Sequence, residues 1–489
     1  MKPKPISETT QKFRLFLFLL LCIAAVFGYK MAVGSPEDAR VWPPERLEIG
    51  MADAPPGQRP DKFTMPNGLT YRQQYLSNGA GTGWTNWNTD ANFVKFYIQD
   101  SRDLGMISVF TWYNICQSGY GGGSNGSHPC YSDEANTIQN NLQDSVIMYQ
   151  YWEDMKLFFQ KAAELPDETV ILHVEPDLWG HAHLLTTSND ATQTPYTVKV
   201  GDSGHPDLSG LPNNLQGYAQ AIFRLRDLNG ASNVKIAYHM STWGVRDDFV
   251  FSNPDEAALI DFAEESVQFY QSIGQPFDLT FFEMRDRDAG YYEFINQKPD
   301  AWWNQNDYDS HIKWIETYTA RTEHQVMLWQ LPYGNTKKDV LDNSWGYYQD
   351  NIVETLLDES DYATLKRYRD AGVVALIFGQ GAPGTTCPCD ADQNGSIDDG
   401  GYFLEVAEKY IQNGPLPVVN AAQIFTVNWT LLGDGIGLSW NDIGADSYEV
   451  WRGEATLLAG DNCGLADNCT QVAGTSFSEL LPNGIDERY

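Results

Sequence analysis

Short apolar runs alternate with helical patterns along most of this chain. The run at 170–177 begins with Val170, Ile171 and Leu172 and ends with two carboxylates, Glu175 and Asp177. An apolar run of this length, between a helical pattern and a Gly-containing loop, is typical of a β-strand covered on both faces. Eight such runs occur in order, at 47–53, 69–77, 107–114, 170–177, 234–241, 277–285, 325–331 and 373–380.

Amphipathic helical patterns separate most of these runs. They lie at 92–104, 145–164, 215–228, 256–273, 310–321 and 351–371, and a last pattern at 402–411 follows the eighth run. The first two runs have no clear helical pattern between them. Strands that alternate with helices form parallel βαβ units, and eight of them predict an α/β fold, a TIM-like (β/α)₈ barrel over residues 35–415.

Alternation within each predicted strand indicates which side chains face the barrel axis. The outward face packs on helices and must be apolar, so Leu172 and Val174 point outward. Polar side chains then gather at the carboxyl ends of the strands, where barrel enzymes carry their active sites. The predicted inward residues are Ser108, Phe110, Trp112 and Asn114 on the third strand, Ile171, His173, Glu175 and Asp177 on the fourth, Lys235, Ala237, His239 and Ser241 on the fifth, Leu279, Phe281, Glu283 and Arg285 on the sixth, and Val326, Leu328 and Gln330 on the seventh.

Carboxylates near these strand ends are the candidates for catalysis. Two carboxylates that flank a glycosidic bond suffice for its hydrolysis, one as proton donor and the other as base or nucleophile. Glu175 is the first candidate for the donor, and like charge at Asp177 on the same face would raise the pKa of one of the two. Glu283, two strands away, is the candidate partner. Alternatively, Glu175 and Glu283 form only salt bridges with Arg285 or a histidine, because buried polar groups need partners.

Aromatic and polar side chains around the predicted mouth are candidates for sugar binding. Flat aromatic faces stack on the apolar faces of sugar rings, as they do on other ligands. Any single aromatic residue is also a packing residue, so their clustering at the strand ends carries the argument. The candidates are Trp84, Trp112, Asn114, His173, Trp179, His239, Trp243, Arg285, Tyr291, Trp329, Gln330 and Gln380.

One segment resembles a known enzyme family. The stretch Val174-Glu175-Pro176-Asp177-Leu178 is similar to the strand-end Glu-Pro-Asp of family 6 cellulases, and Asn213-Asn214, residues 234–244 and residues 374–384 fall in a similar order. The resemblance implies a barrel glycoside hydrolase with Asp177, rather than Glu175, as its proton donor. The family carries aspartates on the neighbouring strand ends, where this chain has Asn114 and His239. Its Gly-Gly-Glu-Ser-Asp near the last strand is Gly-Gln-Gly-Ala-Pro here, at 379–383.

Three alternatives stay open on the sequence. The replaced aspartates, with Gln330 where other families place a Glu nucleophile, favour a non-catalytic carbohydrate-binding or adhesion protein on a degenerate barrel. Asp286 and Asp288, at the sixth strand end, are further options for the partner carboxylate. A metal-dependent hydrolase would use histidines that lack a recognised ligand spacing, namely His173, His181, His183 and His239.

Charge and the N-terminal segment bound the location of the protein. The 489 residues carry a formal charge of −33, which argues against nucleic-acid partners, whose binders carry basic patches. Basic residues up to Arg14 precede an apolar stretch at 15–27 that is too short for an ordinary transmembrane helix. This predicts a signal peptide over 1–34, or an uncleaved signal anchor. We therefore expect a secreted protein that contacts a membrane only through such an anchor.

Six cysteines follow the N-terminal segment, and an even number in an exported chain favours disulfides. The expected pairs are Cys116 with Cys130 and Cys463 with Cys469. Cys387 and Cys389 are expected not to pair with each other, because only one residue separates them.

The segment 387–401 contains a calcium-loop-like pattern. Its oxygen-bearing side chains occupy alternate positions of an EF-hand or dockerin-like loop, with Gly395 at the sixth position. Gly401 stands where a twelfth-position carboxylate is expected, so the loop lacks one ligand; the alternative is an Asp/Gly turn without metal. No organic cofactor is expected. The proposed Ca²⁺ ligands are Asp390, Asp392, Asn394, Ser396 and Asp398.

The pattern changes to short alternating strands near the C-terminal end. Residues 435–440 and 447–452 resemble the early strands of a fibronectin type III domain, with Trp440, Tyr448 and Val450 in its core. We expect a small all-β sandwich of this type over residues 423–489. It is either incomplete or a fragment, because the family has two further strands.

Overall fold

The computed structural model describes residues 42–52, 68–119, 130, 132–186, 188–245, 249–338, 343, 347–379, 381, 385–389 and 396–418. It also describes the backbone of five strands between 427 and 480. The predicted signal segment at 1–34 lies outside the described residues. No helix in the described part of the chain is long and apolar enough to cross a membrane.

Eight parallel strands close into a barrel, which confirms the predicted (β/α)₈ architecture. Each strand pairs with the next, and the first also pairs with the eighth, so no edge is left open. All eight apolar runs form the strands that the pattern predicts. They are β1 (Glu48–Ala52), β2 (Tyr71–Leu76), β3 (Ile107–Trp112), β4 (Val170–Val174), β5 (Val234–Met240), β6 (Leu279–Glu283), β7 (Val326–Leu331) and β8 (Val373–Phe378).

Helices cover the outside of the barrel and also build its loops. Except for the one at 351–371, the helices that the periodicity predicts are present, with shifts at their ends. Among the described residues, four further helices follow β3, β4, β5 and β6 and were not predicted, because helices of four to ten residues show only a short apolar stripe. The α-helices are α1 (Phe93–Asp103), α2 (Glu134–Gln143), α3 (Ser145–Ala163), α4 (Pro176–Leu184), α5 (Leu215–Leu228), α6 (Phe249–Ser252), α7 (Glu256–Ser272), α8 (Ala289–Phe294), α9 (Gln305–Thr322), α10 (Ala363–Asp370) and α11 (Tyr402–Asn413).

The single helix predicted at 351–371 is wrong. The segment contains a π-helical turn at Glu354–Asp358 and the separate helix α10. Asp361 and Tyr362 adopt left-handed backbone angles, with φ of 63° and 53°, and an α-helix cannot continue through them. The apolar periodicity survives this break, which explains why the pattern extends across it.

Two apolar layers show which side chains face the barrel axis. Ile171, Ala237, Leu279 and Phe281 pack together inside the barrel, as the alternation on β4, β5 and β6 predicts. The outer layer, between the sheet and the helices, contains Leu172 and other outward residues.

The inward faces predicted for β3 and β7 are wrong. Val109 and Met327 face the interior, whereas Phe110, Trp112 and Leu328 belong to the outer layer. Both strands are buried along their whole length and are apolar on both faces. Because both faces of these strands are mostly apolar, the positions of their few polar residues could not indicate which face is inward.

Two disulfides join described residues. The expected Cys116–Cys130 pair is confirmed, with Cα atoms 5.4 Å apart. Cys387 and Cys389 also pair, contrary to expectation; their Cα atoms lie 5.1 Å apart, within the usual range for a disulfide, because the chain bends at Pro388. Cys463, the expected partner of Cys469, lies outside the described residues.

Short antiparallel strands follow the barrel in sequence, and only their pairing is described. One sheet has the order β13-β10-β9 and a second pairs β11 with β12. This pairing shows β-structure in the segment, and its assignment to the fibronectin type III fold stays a prediction. The strands are β9 (Val427–Leu432), β10 (Gly435–Trp440), β11 (Tyr448–Trp451), β12 (Cys469–Val472) and β13 (Ser476–Leu480).

Candidate active site

A cleft with a volume of about 1200 Å³ opens at the carboxyl ends of the barrel strands. This is the face on which barrel enzymes place their chemistry. The loops after β3, β4, β5 and β6 form most of its walls. Its lining combines carboxylates, cations and aromatic rings, including Tyr75, Tyr113, Glu134, Asp177, His181, Trp243, Phe251, Glu283, Arg285, Asp286, Tyr292, Trp303, Trp329 and Gln330.

Asp177 and Glu134 form a hydrogen-bonded carboxyl pair in this cleft. Asp177 lies in the first turn of α4, and Glu134 lies in the first turn of α2. The Tyr113 hydroxyl donates to Glu134 Oε1 at 2.6 Å, and His181 Nε2 lies 3.4 Å from Glu134 Oε2. The loops after β3 and β4 thus bring together two acids that are far apart in sequence.

The two carboxyls of this pair have opposite pKa shifts. Burial and the nearby charges of Glu134 and Glu283 raise the pKa of Asp177 well above its usual range. Burial also acts to raise the pKa of Glu134, but hydrogen bonds from His181 and Tyr113 and the charge of His181 outweigh it and lower that pKa. The opposite directions favour a proton on Asp177, whose O–H would then donate to the Glu134 carboxylate. Paired carboxyls whose surroundings separate their pKa values are a recurring acid/base arrangement.

Glu283 ends β6 and lines the same cleft. Its charge contributes to the raised pKa of Asp177, so the two groups are close enough to interact. Among the described residues its one ion-pair contact is with His239, whose Nε2 lies 3.8 Å from Glu283 Oε2. Asp286, a further option on the sequence, also lines the cleft, but it accepts hydrogen bonds from Arg287 and Tyr292.

Asp288, the other option at this strand end, lies below the surface. It is fully buried and accepts a hydrogen bond from the Thr386 backbone N–H at 2.7 Å. Arg285 reaches the cleft but forms an ion pair with Asp350 at 3.2 Å. Within the part of the chain that the structure describes, no Arg or Lys forms an ion pair with Glu283, the remaining cleft carboxylate at the β6 tip.

Glu175 does not line the cleft, contrary to its role as first candidate for the proton donor. It is 1% exposed, and its Oε1 accepts hydrogen bonds from the backbone N–H groups of Asn114 and Ile115 and from the Tyr151 hydroxyl, at 2.9–3.1 Å. Burial raises its pKa to about 8. Its backbone is left-handed, with φ of 43°, and this turn directs the following Pro176 and Asp177 into α4. Glu175 therefore ties β3 and α3 to the start of the helix that carries Asp177.

Trp243, from the loop after β5, and Trp329, near the end of β7, are two of the aromatic residues that line the cleft. Trp243 lies against helix α4, where a Cβ on Gly180 would come within 2.4 Å of its ring, so only glycine fits at that position. Its ring also contacts His181, with centroids 4.9 Å apart. Trp329 and Gln330 both face the cleft because the register of β7 shifts after Leu328 and Gln330 adopts a φ of 53°.

Several residues expected at the mouth lie elsewhere. Trp84 and Trp112 pack edge to face in the outer layer, and the Trp179 indole donates to the Val174 carbonyl within the core. Asn114 is buried and its side-chain amide donates to the Leu76 carbonyl. All four side chains are buried away from the cleft, and the alternation of apolar and polar residues in the sequence did not indicate this.

The remaining sequence candidates occupy three further places. His173 and His239 lie inside the barrel below the cleft, with their rings 5.0 Å apart. Tyr291 packs edge-on against Tyr348 and is absent from the cleft lining as described. Gln380 lies outside the described residues.

The four histidines of the metal-hydrolase alternative do not converge. His173 and His239 pair inside the barrel, His181 contacts Glu134 at the mouth, and His183 stacks on Phe269 in the outer layer. Within the described part of the chain, the side-chain groups close enough to share a metal ion both contain disulfide-bonded cysteines rather than these histidines.

Three of the five expected Ca²⁺ ligands lie outside the described residues, namely Asp390, Asp392 and Asn394. Ser396 and Asp398 are described. Asp398 is buried and its backbone N–H donates to the Cys389 carbonyl at 2.7 Å, which brings the two ends of the loop together.

Glu134 is a carboxylate of the cleft that the sequence reasoning missed. It begins a short helix after Asp133, with Ile138 and Leu142 one turn apart on its buried face. A helix-start signal was therefore present. The expected Cys116–Cys130 disulfide also places this helix next to the end of β3, so the two signals together could have indicated an acid at the mouth.

The chain was compared with known proteins. No protein-family model and no curated protein matches it. Among solved structures, an endo-β-1,4-mannanase of glycoside hydrolase family 26 from Cellulomonas fimi is 11% identical with a TM-score of 0.41, over 89% of this chain and 93% of that chain. A family 26 β-mannanase from Bacteroides ovatus is 12% identical with a TM-score of 0.39, over 76% and 92%. Cellobiohydrolase II from Humicola insolens is 15% identical with a TM-score of 0.33, over 65% and 76%. At these values the likenesses carry no argument about function, and the fold rests on the strand pairing itself.

Proposed function

We propose that this protein is a secreted glycoside hydrolase that cleaves the glycosidic bonds of a polysaccharide by two-carboxylate catalysis. The observation that carries the proposal is the Asp177–Glu134 pair. It keeps a proton on a carboxyl that faces an open cleft, beside a second carboxylate, Glu283. A protonated acid next to an ionised carboxylate is the minimal equipment for glycoside hydrolysis.

Each of these residues has a distinct role in the proposed reaction. Asp177 donates its proton to the leaving oxygen as the glycosidic bond breaks, and Glu283 acts as base or nucleophile at the sugar carbon. Glu134 accepts the Asp177 hydrogen bond and is itself held by Tyr113 and His181, so it is a positioning residue that orients the acid. The acid role falls on Asp177, as the family resemblance implies, rather than on Glu175.

The shape and lining of the cleft support a carbohydrate polymer as substrate. At about 1200 Å³ the cleft exceeds the usual size of a small-molecule pocket. Trp243, Trp329, Tyr292 and Phe251 offer aromatic surface along it, and sugar rings pack on such surfaces. Carboxylates and Arg285 among these rings supply the polar groups that orient hydroxyls.

Incubation of the purified protein with a panel of polysaccharides tests the proposal. We expect new reducing ends from at least one substrate and none from the Asp177→Asn variant. Release of reducing ends by the parent and by the variant alike would mean that another site or a contaminant is responsible. Absence of hydrolysis on every polysaccharide of the panel, at pH values from about 4 to about 8, would count against the proposal.

A non-catalytic carbohydrate-binding protein is the second candidate. It is favoured by Gln330, whose amide donates to the Tyr75 hydroxyl at 2.8 Å at a strand tip that carries no carboxylate. Binding of a polysaccharide without hydrolysis, measured by affinity electrophoresis on the same panel, would support it over the enzyme.

We also propose that residues 390–398 bind a structural Ca²⁺ ion. Alternate oxygen ligands in the sequence and the closed ends of the loop at Cys389 and Asp398 support this. We expect EDTA to lower the Tm of the parent, and the double variant Asp390→Ala, Asp392→Ala to lose that sensitivity. An unchanged Tm of the parent in EDTA would contradict the proposal.

Export to an oxidising compartment is part of the proposal. The apolar N-terminal segment at 15–27 and the two disulfides among the described residues support it.

A further inference from the structure

A row of buried polar side chains crosses the barrel interior below the cleft and ends at Glu283. It takes one side chain from each of the five consecutive strands β2 to β6, namely Gln73, Thr111, His173, His239 and Glu283. Gln73 Nε2 lies 3.0 Å from Thr111 Oγ1, which lies 3.3 Å from His173 Nδ1. His173 Nε2 lies 2.9 Å from His239 Nδ1, and His239 Nε2 lies 3.8 Å from Glu283 Oε2.

The hydrogen bonds of this row share one direction. With the amide nitrogen of Gln73 assigned to the Thr111 side, the amide donates to the hydroxyl, and the hydroxyl proton is left for His173 Nδ1. A neutral imidazole has one donor and one acceptor nitrogen, so His173 donates from Nε2 to His239 Nδ1. By the same rule His239 carries its proton on Nε2, the nitrogen that faces Glu283.

Surrounding rings hold the two imidazoles in place. His173 stacks on Phe281 with centroids 4.2 Å apart, and Trp329 meets both histidines edge-on. Burial and the neighbouring His239 keep the pKa of His173 well below its usual value. These ring contacts orient both imidazoles, so the direction of the row depends on its Gln73–Thr111 end.

The row has an open end at the cleft. His239 is fully buried, and its Nε2 has no hydrogen-bond partner among the described residues. A buried unpaired N–H is costly, and the apolar neighbours Ile171, Ala237 and Leu279 show that this interior could be packed without polar groups. A polar row through such an interior is therefore best explained by what its open end does.

We propose that His239 is a positioning residue for Glu283, and that Thr111 acts through His173 to keep the His239 Nε2–H directed at the Glu283 carboxylate. The proton is donated directly when Glu283 turns inward, or through one bridging water. An N–H at His239 Nε2 favours the ionised form of Glu283. If the hydrogen bonds of the row were reversed, His239 Nε2 would offer a lone pair and favour the protonated form. The row thus assigns the base or nucleophile role to Glu283. The catalytic part of this inference rests on the proposed function.

Histidine NMR on the full chain tests the direction of the row without any substrate. Long-range ¹H–¹⁵N spectra of histidine-labelled protein, assigned with His173→Gln and His239→Gln, should show the Nε2–H tautomer for both residues near neutral pH. A His239 ring protonated on Nδ1, or doubly protonated, would overturn the inference. Because this measurement needs no activity, its failure is distinct from a failure of the proposed function.

Thr111→Val tests the coupling to Glu283. The variant keeps the shape of the side chain and removes the hydroxyl, so we expect a mixed His239 tautomer and an acid limb of the pH–rate profile that moves up by about one pH unit. Thr280→Val is the matched control, because Thr280 is also a buried barrel threonine whose hydroxyl bonds a histidine, His324 Nδ1 at 2.7 Å, but in the outer layer. Equal acid limbs in the two variants would overturn the coupling, and the tautomers of the parent decide the direction if Thr111→Val does not fold.

Discussion

Replacement of Asp177 by Asn is expected to lower kcat on a polysaccharide by about 10²–10⁴-fold, the usual contribution of a general acid. Asn fits the same place in α4 and can still hydrogen-bond to Glu134, but it has no proton to give to the leaving oxygen. A glycoside with an acidic phenol as leaving group needs little protonation, so its kcat should fall by less than about tenfold. Steady-state kinetics on both substrates measure the difference.

Glu175→Gln is the matched control for this change. Gln retains the acceptor oxygen for the Asn114 and Ile115 backbone N–H groups, and the native carboxyl is already uncharged below its pKa of about 8. We expect a kcat within a few-fold of the parent, as for other changes away from the reacting atoms. A Tm measurement verifies that the variant is folded. An inactive Glu175→Gln beside an active Asp177→Asn would return the acid role to Glu175.

Replacement of Glu283 by Gln is also expected to lower kcat by about 10²–10⁴-fold, but on the polysaccharide and on the glycoside with a phenol leaving group alike. The partner carboxylate attacks the sugar carbon or activates water there, and this step is required whatever the leaving group. The contrast between the two substrates thus separates the acid from its partner. The same steady-state assays measure it.

Asp286→Asn serves as the control for Glu283. Asp286 lines the same cleft three residues further on, but Arg287 and Tyr292 already occupy its oxygens. A near-parental kcat is expected, since the side chain has no free carboxylate oxygen to offer. If instead Asp286→Asn loses more activity than Glu283→Gln, the partner role belongs to Asp286.

The barrel could be predicted from the sequence because its strands are buried on both faces. Runs such as Val170–Val174 stand out as continuous apolar segments, and the helices between them have a clear apolar stripe. The same burial hides which face is inward. On β3, Phe110 and Trp112 are as apolar as Val109, so only the packing of α3 against the sheet decides their direction.

The candidate site was harder to predict, because its key pair comes from loops. Asp177 and Glu283 follow strand ends and could be placed, whereas Glu134 belongs to a ten-residue helix whose position depends on a disulfide and on Tyr113. Alternation placed Glu175 and Asp177 together on the face of His173 in an ideal strand, so it could not separate the two carboxylates. The left-handed backbone at Glu175 ends that alternation and turns its side chain away from the cleft.

The buried Glu175 carboxyl links the stability of the barrel to pH. Its pKa is about 8 in the folded chain, against an ordinary 4.5 that the unfolded chain regains. The folded state therefore binds more protons between these values, and the free energy of unfolding falls as pH rises through this window. The contribution of Glu175 to the free energy of unfolding is therefore complete at acidic pH and is lost above about pH 8. The group that orients the helix of Asp177 thus makes this fold better suited to an acidic medium than to an alkaline one.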